Sequence, residues 1–466
     1  MMQDKKPADV IIVGGGTAAF AGAIRAADQG AQVLIVEEGK IGGTCVNWGC
    51  VPSKTLIARA DEYQCVRHEQ RFGLETSGEI NLELLFENQR FTVDRVRNSH
   101  YEGMLAAYPG IEVLKGHGRF VAPDTLDVNG EHYQSERFLV AAGGRPRTLN
   151  IPGLKETGFL TSHSILQRKT LPESLLVLGG GVIALEMGQM LSRLGTRVTI
   201  VERNDRLLKE FDRRLSEKFH ALLESEGVHV ELGVETLRTY REDDQVVICG
   251  RRENEGFCLQ AHELLLAVGT APATDRLGCD TAGIALTEEG FIAVDEEMGT
   301  SVKGIWAAGD ITGGPLIAPA GAHEAEVAVD NMFHPEKHRR IDHRMTPMAV
   351  FTVPEFAVVG IFTPSWQPNS LDIVDAFLDL ERVDKAHIVD RRHGGILVCA
   401  DRENGRLLGV QMLGDRAADV IQAAAVAIRC GMSVFDLADT VTVYPAISEG
   451  LQLAARACVR KLQQVS

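Results

Sequence analysis

At 466 residues the chain is too long for one hydrophobic core, and roughly two to four domains are expected. Hydrophobic residues at 45% and charged residues at 24% suit a soluble globular enzyme, while a net charge of -16 argues against nucleic acid or an anionic membrane as partner. No stretch reaches about 18 uninterrupted apolar residues, and the opening MMQDKKPADV lacks the apolar run of a signal peptide, so a cytoplasmic protein is expected.

The first element is a short apolar strand, Val10 to Val13, within ADVIIVGGGTAAFAGAIRAADQGAQVLIVEE. A glycine turn, an Ala-rich helix and a second strand ending at Glu37 follow. The turn fits G-x-G-x-x-A through Gly14, Gly16 and Ala19. Glycines let the backbone approach a pyrophosphate, whose charge the helix N-terminus meets, and an acid at position 37 can accept hydrogen bonds from a ribose.

Next comes GGTCVNWGCVPSK, residues 42–54, with Gly43, Thr44, Cys45, Cys50 and Lys54. A structural disulfide, half of a metal site and a redox pair are the three uses such cysteines have. Pro52 and the run SKTLIARADEYQ put Cys50 at a helix N-terminus, where the dipole stabilises a thiolate. Lys54 falls on the same helix face. Zinc would want a second ligand pair at short spacing, and none is found, so the redox reading fits best. Cys65, Cys249, Cys258, Cys279, Cys399, Cys430 and Cys458 are scattered singly and are expected to be reduced thiols.

The nucleotide pattern recurs in SLLVLGGGVIALEMGQMLSRLGTRVTIVERNDRLL, with Gly179, Gly181, Ala184 and Glu202. Two such units imply two dinucleotides, a flavin that is held and a nicotinamide that visits. Glu202 suits the free ribose hydroxyls of NADH and repels a 2′-phosphate, although Arg203 and Arg206 could receive one, so NADH is expected and NADPH stays open. Glu186 is a candidate partner to orient Lys54. The strand-turns FLVAAGGRPR, with Gly143, and LLLAVGTAPA, with Gly269, read as crossings that bracket an inserted second unit. GIWAAGDITGG supplies Gly309 and Asp310, an acid placed to bind ribityl hydroxyls. The expected fold is α/β: an FAD-binding domain over 1–148 and 271–344, an NAD(P)-binding domain over 149–270, and an α+β domain over 345–466.

Gly-Gly-Thr-Cys-Val-Asn-x-Gly-Cys-Val-Pro-Ser-Lys resembles the redox motif of the flavoprotein disulfide reductases, a group that includes dihydrolipoamide dehydrogenase, glutathione reductase and mercuric reductase. The resemblance spans nearly the whole chain. It implies FAD, a nicotinamide, a C-terminal dimerisation domain and a homodimer. It also implies roles: Cys50 as the thiolate in charge transfer with flavin, Cys45 as the outer thiol that meets substrate.

Disulfide-reducing members carry His-Pro-x-x-x-Glu near the C-terminus, and the histidine supplies acid–base catalysis from the opposite subunit. Here VYPAISEG keeps Pro445 and Glu449 but has Tyr444 at the histidine position. Thiol–disulfide exchange needs a proton near neutrality, which tyrosine supplies poorly; a soft metal ion needs two thiolates instead. Tyr444, and Tyr101 in SHYEGMLAAYPGIEVLKGHGRF, resemble mercuric reductase. The chain departs from that pattern at its end, RKLQQVS, which has no vicinal cysteine pair, in having no N-terminal metal-binding module, and in Glu202 where NADPH is the common choice. Cys458 reads as an inert buried cysteine rather than a relay thiol. The expected acceptor is Hg(II), bound as substrate at Cys45 and Cys50, with no resident metal; a small disulfide such as lipoamide, or a protein partner fed with electrons, are the alternatives.

Overall fold

The computed structural model describes residues 8–68, 72, 73, 75, 78–253, 255–361 and 371–464. Two compact units are present. The first gathers Met1–Thr55, Glu83–Arg147 and Gly269–His343; the second gathers Leu56–Leu82, Thr148–Val268 and Arg344–Ser466.

In the first unit, strand β1 (Val10–Val13) is wholly buried, as its β-branched run dictates. It lies at the centre of a five-stranded sheet, flanked by β2 (Val33–Glu37) and the strand Phe138–Val140, with Ile111–Lys115 and Ile305–Ala307 at the edges. All four pairings are parallel. Such a sheet needs cover on its faces, and helix α1 (Thr17–Ala27) supplies part of it. Its small residues allow close approach: a Cβ added at Gly22 would lie 2.5 Å from Leu139 and 3.5 Å from Ala325. The turn between β1 and α1 depends on Gly14, whose φ is +112° and whose added Cβ would sit 2.2 Å from the Ala141 carbonyl oxygen.

The second unit repeats this device. Strand Ser174–Leu178 runs parallel to Arg197–Val201 and Glu263–Leu266. At Gly179, φ is +119° and an added Cβ would meet the Ala267 carbonyl at 2.4 Å. Helix Val182–Arg193 follows. Arg193, itself buried, ion-pairs with Asp61 at 3.0 Å and Glu226 at 2.6 Å. The C-terminal part of the unit is a five-stranded antiparallel sheet ordered Met348–Val350, Glu355–Gly360, Leu407–Gly414, Gly395–Asp401, Ile373–Asp379. Its core includes Val359, Ile396, Val410 and Met412, with Ile421 and Ala454 from the helices Ala417–Arg429 and Glu449–Gln463. Where the chain leaves the first unit and returns to it, Gly144–Pro146 and Thr270–Pro272 pair antiparallel.

One expectation is corrected. Cys249 and Cys258 are not single thiols but form a disulfide. Strands Gln245–Arg252 and Glu255–Ala261 make a hairpin whose register sets the two cysteines directly opposite one another. A sequence separation of nine carries no trace of that register. Cys458 does lie fully buried, its thiol pushed up to about 11 by burial, as befits an inert core cysteine. No helix among the described residues is long and apolar enough to cross a membrane.

Because alanine at position 14 would carry both an unfavourable φ and an overlap with a backbone carbonyl, Gly14→Ala should lower unfolding free energy by about 1–3 kcal/mol or more. Urea denaturation checks this; an unchanged midpoint would mean the turn does not need glycine.

Candidate active site

The cysteine loop is stitched to the first glycine turn. Gly42 (φ +93°) and Gly43 (φ +56°) are left-handed, and the Gly42 amide donates to the Gly15 carbonyl at 2.7 Å. A Cβ on Gly43 would lie 2.6 Å from the Gly16 Cα, so only glycine lets these two backbones touch. The short helix α2 (Gly43–Asn47) then carries Cys45. Asn47 is folded back, donating to the Ile41 and Gly43 carbonyls at 2.9 and 3.0 Å, and Arg97 donates to its Oδ1 at 3.0 Å. Helix α3 (Cys50–His68) begins at Cys50, where the sequence placed a helix start.

Cys50 is exposed and Cys45 half-buried. The Cys45 thiol is pushed well above its ordinary range, first by its hydrogen bond to Cys50, then by burial. Lys54 and Thr17 pull weakly the other way. In the reduced pair the proton therefore stays on Cys45, and Cys50 is the sulfur that accepts it in a hydrogen bond.

Tyr101 lies in a π-helical turn, Asn98–Glu102, between the α-helices Leu82–Arg97 and Gly103–Ala107. Its ring packs edge-on against Phe20 with centroids 4.7 Å apart, and its hydroxyl is 3.2 Å from Thr17 Oγ1. Burial, with a lesser push from the two cysteines, raises its phenol above the usual tyrosine value, so it stays protonated at neutral pH. Thr17 was missed by sequence reasoning. It occupies a variable position of the glycine fingerprint, 84 residues from Tyr101, and nothing in the pattern singles it out.

The same unit fits a dinucleotide. Helix α1 starts at Gly16 with no side-chain cap and no acid in its first turn, leaving its N–H donors open to an anion. Ala19, in that first turn, is fully buried. Glu37 closes β2, accepts the Gly39 and Gly15 amides, and is raised above the usual carboxylate value chiefly by burial. Beside it a cleft of about 140 Å³ is lined by Gly14, Glu37, Glu38, His117, Arg145 and Arg276, among others. Gly143 (φ +71°) borders open space. Gly309 (φ +81°) donates its amide to buried Glu324 at 2.7 Å, and Asp310 next to it is raised by burial and then by Glu324.

In the second unit Gly181 is again an uncapped helix start with open space around it, and Ala184 is buried. The buried Glu202 carboxylate takes the amides of Gly180 and Asn204, the latter at 2.7 Å. Arg206 is tied back to Asp205 at 3.5 Å and to the Lys209 carbonyl, whereas Arg203 is exposed. Gly269 (φ +104°), in the first unit, faces open space. Glu186 is buried and accepts the Phe351 amide at 2.9 Å. Tyr444 is 66% exposed, and its hydroxyl donates to Asp384 Oδ2 at 2.8 Å, a partner 60 residues away that the sequence did not suggest. That bond, and the charge of Asp384, raise the phenol further from neutrality. Glu449, half-buried, opens the helix that follows. Among the described residues no group of three or more His, Cys, Asp or Glu side chains is placed to hold a metal ion.

Comparison with known proteins adds the following. Residues 8–328 match the family model described as pyridine nucleotide-disulphide oxidoreductase, and residues 346–455 match the dimerisation domain of the same family. A mercuric reductase of Lysinibacillus sphaericus is 36% identical over 96% of this chain and 82% of that protein. One from Shigella flexneri is 37% identical over 98% of this chain and 82% of its own length. A dihydrolipoyl dehydrogenase of Bacillus subtilis (strain 168) is 32% identical, covering 96% of this chain and 97% of that one. Among solved structures, the Cu(II) complex of the HOCl-induced flavoprotein disulfide reductase RclA from Escherichia coli superposes with a TM-score of 0.85 at 27% identity, over 97% of this chain and 99% of that one.

Asp310 gives a test by pH. Its folded pKa is raised, so its charged form costs stability in flavin-free protein above that pKa, and the cost fades as pH falls toward the ordinary carboxylate value. Asp310→Asn should therefore raise the Tm of flavin-free protein at pH 7 by about 1–3 °C, with the gap closing near pH 4. Thermal melts across this range check the sign; a variant that melts lower at pH 7 would contradict it.

Proposed function

The chain belongs to the class I pyridine nucleotide-disulphide oxidoreductases, and on that footing we propose that it reduces a soft metal ion, Hg(II) presented as a thiol complex, with electrons from NADH passed through FAD to Cys45 and Cys50. The observation that carries this reading is Tyr444 in place of a titrating histidine, its hydroxyl already committed to Asp384. A phenol held further from neutrality is a poor proton shuttle, so turnover of a disulfide, whose leaving thiolate needs a proton, is disfavoured. The mercuric reductases among its relatives support the same choice.

FAD would be held by Gly14, Gly16, Ala19, Glu37, Gly43, Thr44, Lys54, Gly143, Gly309 and Asp310, and when bound it supplies the two-electron relay between the nicotinamide and the cysteine pair. Gly179, Gly181, Ala184 and Glu202 would hold the nicotinamide cofactor, and Gly269 remains a cofactor-binding candidate of the first unit. Cys50, at a helix start, favours the thiolate, while Cys45 keeps the proton. A soft cation binding to Cys45 would displace that proton, because only the thiolate is a ligand. Two thiolates then hold Hg(II), and two electrons take it to the element. The Tyr101 hydroxyl, fixed by Thr17 and Phe20, is poised beside the pair to hydrogen-bond a thiolate there. Lys54, four positions after Cys50 on the same helix, provides a positive charge. Tyr444 and Glu449 fall within the dimerisation domain, and in a homodimer they would act at the opposite subunit's cysteines.

Glu202 supports NADH. A 2′-phosphate beside that carboxylate would cost on the order of 1–3 kcal/mol, or roughly ten- to a hundredfold. NADH should reduce the flavin faster than NADPH by that factor in stopped-flow measurements. Faster reduction by NADPH would mean that exposed Arg203 dominates.

Steady-state assays with Hg(II)–thiol, lipoamide and glutathione disulfide test the acceptor. Hg(II) should be turned over and both disulfides only slowly. Tyr444→His should raise disulfide reduction, with about 100- to 10,000-fold as the ceiling for a well-placed base. Tyr444→Phe should lower Hg(II) turnover but not flavin reduction by NADH. Rapid lipoamide reduction by the natural protein, with no activity toward Hg(II), would favour the dihydrolipoyl dehydrogenase reading instead. Weak turnover of all three, with fast flavin reduction, would point to a protein acceptor.

A further inference from the structure

The hairpin Gln245–Arg252 and Glu255–Ala261 holds a second sulfur pair that the proposed chemistry does not use. Seven register pairs, Val246↔Ala261 through Arg252↔Glu255, set its two strands, and Cys249↔Cys258 lies in the middle of them. Directly opposed residues project to one face of a sheet. The two cysteines, with Cα atoms 4.1 Å apart, are therefore held together by the ladder whether or not their sulfurs are bonded. A bond that closes a loop already closed by hydrogen bonds constrains the chain little.

The two sulfurs are placed unequally. Cys249 is on the middle strand of the three-stranded sheet and only 7% exposed, whereas Cys258 is on its edge strand and open to solvent. Positive charge faces them. Arg238 stands opposite Cys249 on the third strand, its guanidinium engaged with the Tyr240 ring at 5.7 Å. Arg251, two residues along the strand from Cys249 and on the same face, is paired with Glu235 at 2.6 Å. Glu235 offsets the charge of Arg251, so Arg238 is the guanidinium placed to stabilise the facing sulfur as a thiolate, which is both the attacking and the leaving form in exchange.

We propose that Cys249 and Cys258 form a second thiol–disulfide couple, one that exchanges with external dithiols and disulfides while the hairpin stays folded. A thiolate of the external dithiol attacks the exposed Cys258 sulfur, and Cys249 leaves as a thiolate beside Arg238. The dithiol's second sulfur then attacks the mixed disulfide, releasing Cys258 and closing the dithiol into its own disulfide. Two electrons pass to the cysteine pair, and the two protons given up by the dithiol balance those taken up by Cys249 and Cys258. An oxidised dithiol reverses every step.

The test uses the flavin-loaded full-length protein in buffers of graded reduced-to-oxidised dithiothreitol ratio. Free thiols are trapped by alkylation and positions 249 and 258 are read by peptide mass spectrometry, with hydrogen exchange of residues 245–261 followed in parallel. The two positions should label together, the thiol-to-disulfide ratio changing tenfold for each tenfold change in buffer ratio, in both directions, with hairpin exchange unchanged. In Cys258→Ser, Cys249 should label at every ratio. Arg238→Gln should slow reduction by roughly threefold. Labelling only after denaturation, full labelling without any reductant, or loss of hairpin protection on reduction would each overturn the proposal. So would independent titration of the two positions, or a buffer dependence at Cys249 that survives in Cys258→Ser.

Discussion

The molecule is organised around a close approach that only glycine permits. At the end of a central strand the chain must turn into a helix while passing against the carbonyl that ends the neighbouring strand. Gly14 does this against Ala141, and Gly179 does it against Ala267. With no Cβ in the way, each helix starts at the edge of its sheet with bare N–H groups and no capping side chain. Those donors are costly if left dry and useful if an anion arrives. The cysteine loop is built on the first of these turns, through the Gly42–Gly15 hydrogen bond and the contact of Gly43 with Gly16. The sulfur pair is thus positioned by the glycine turn itself, so that in the proposed function one constraint would serve both cofactor binding and redox chemistry.

Polar groups around the pair have roles that follow from burial. Cys45 retains its proton because Cys50 accepts it and because the site around it is drier. Tyr101 keeps its phenolic proton chiefly because it is buried, and its hydroxyl is held by Thr17 and its ring by Phe20. The π-helical turn matters here. A π-helical turn carries one extra residue and shifts the register of the helix face, and Tyr101 is the buried residue of this turn. A protonated hydroxyl so held can donate to a sulfur anion but cannot readily take a proton from a thiol at neutral pH.

Much of this was legible in the sequence, and the limit was range. The glycine turns, the acids at positions 37 and 202 and the helix start at Cys50 are written in runs of under forty residues, where spacing and period are informative. What was not legible joins distant residues. Thr17 meets Tyr101, Asn47 meets Arg97, Tyr444 meets Asp384, and Cys249 bonds to Cys258 through a strand register that no local pattern displays. Glu202 was legible as an acid at a strand end; that its carboxylate already receives the Gly180 and Asn204 amides was not.

Tyr444 shows how one of these distant contacts changes a chemical reading. From sequence, a tyrosine at this position is a weak acid with a pKa near 10, a distance from neutrality that a favourable environment can shorten. The structure supplies the opposite environment. Asp384 accepts the phenolic hydrogen bond, so ionising Tyr444 would set two negative charges face to face. The hydroxyl is thereby kept as a donor whose proton is engaged, on an exposed surface. A group in that state can steer a polar or soft ligand by position. It contributes little to reactions whose barrier lies in moving a proton, which is the step that separates disulfide acceptors from metal ions.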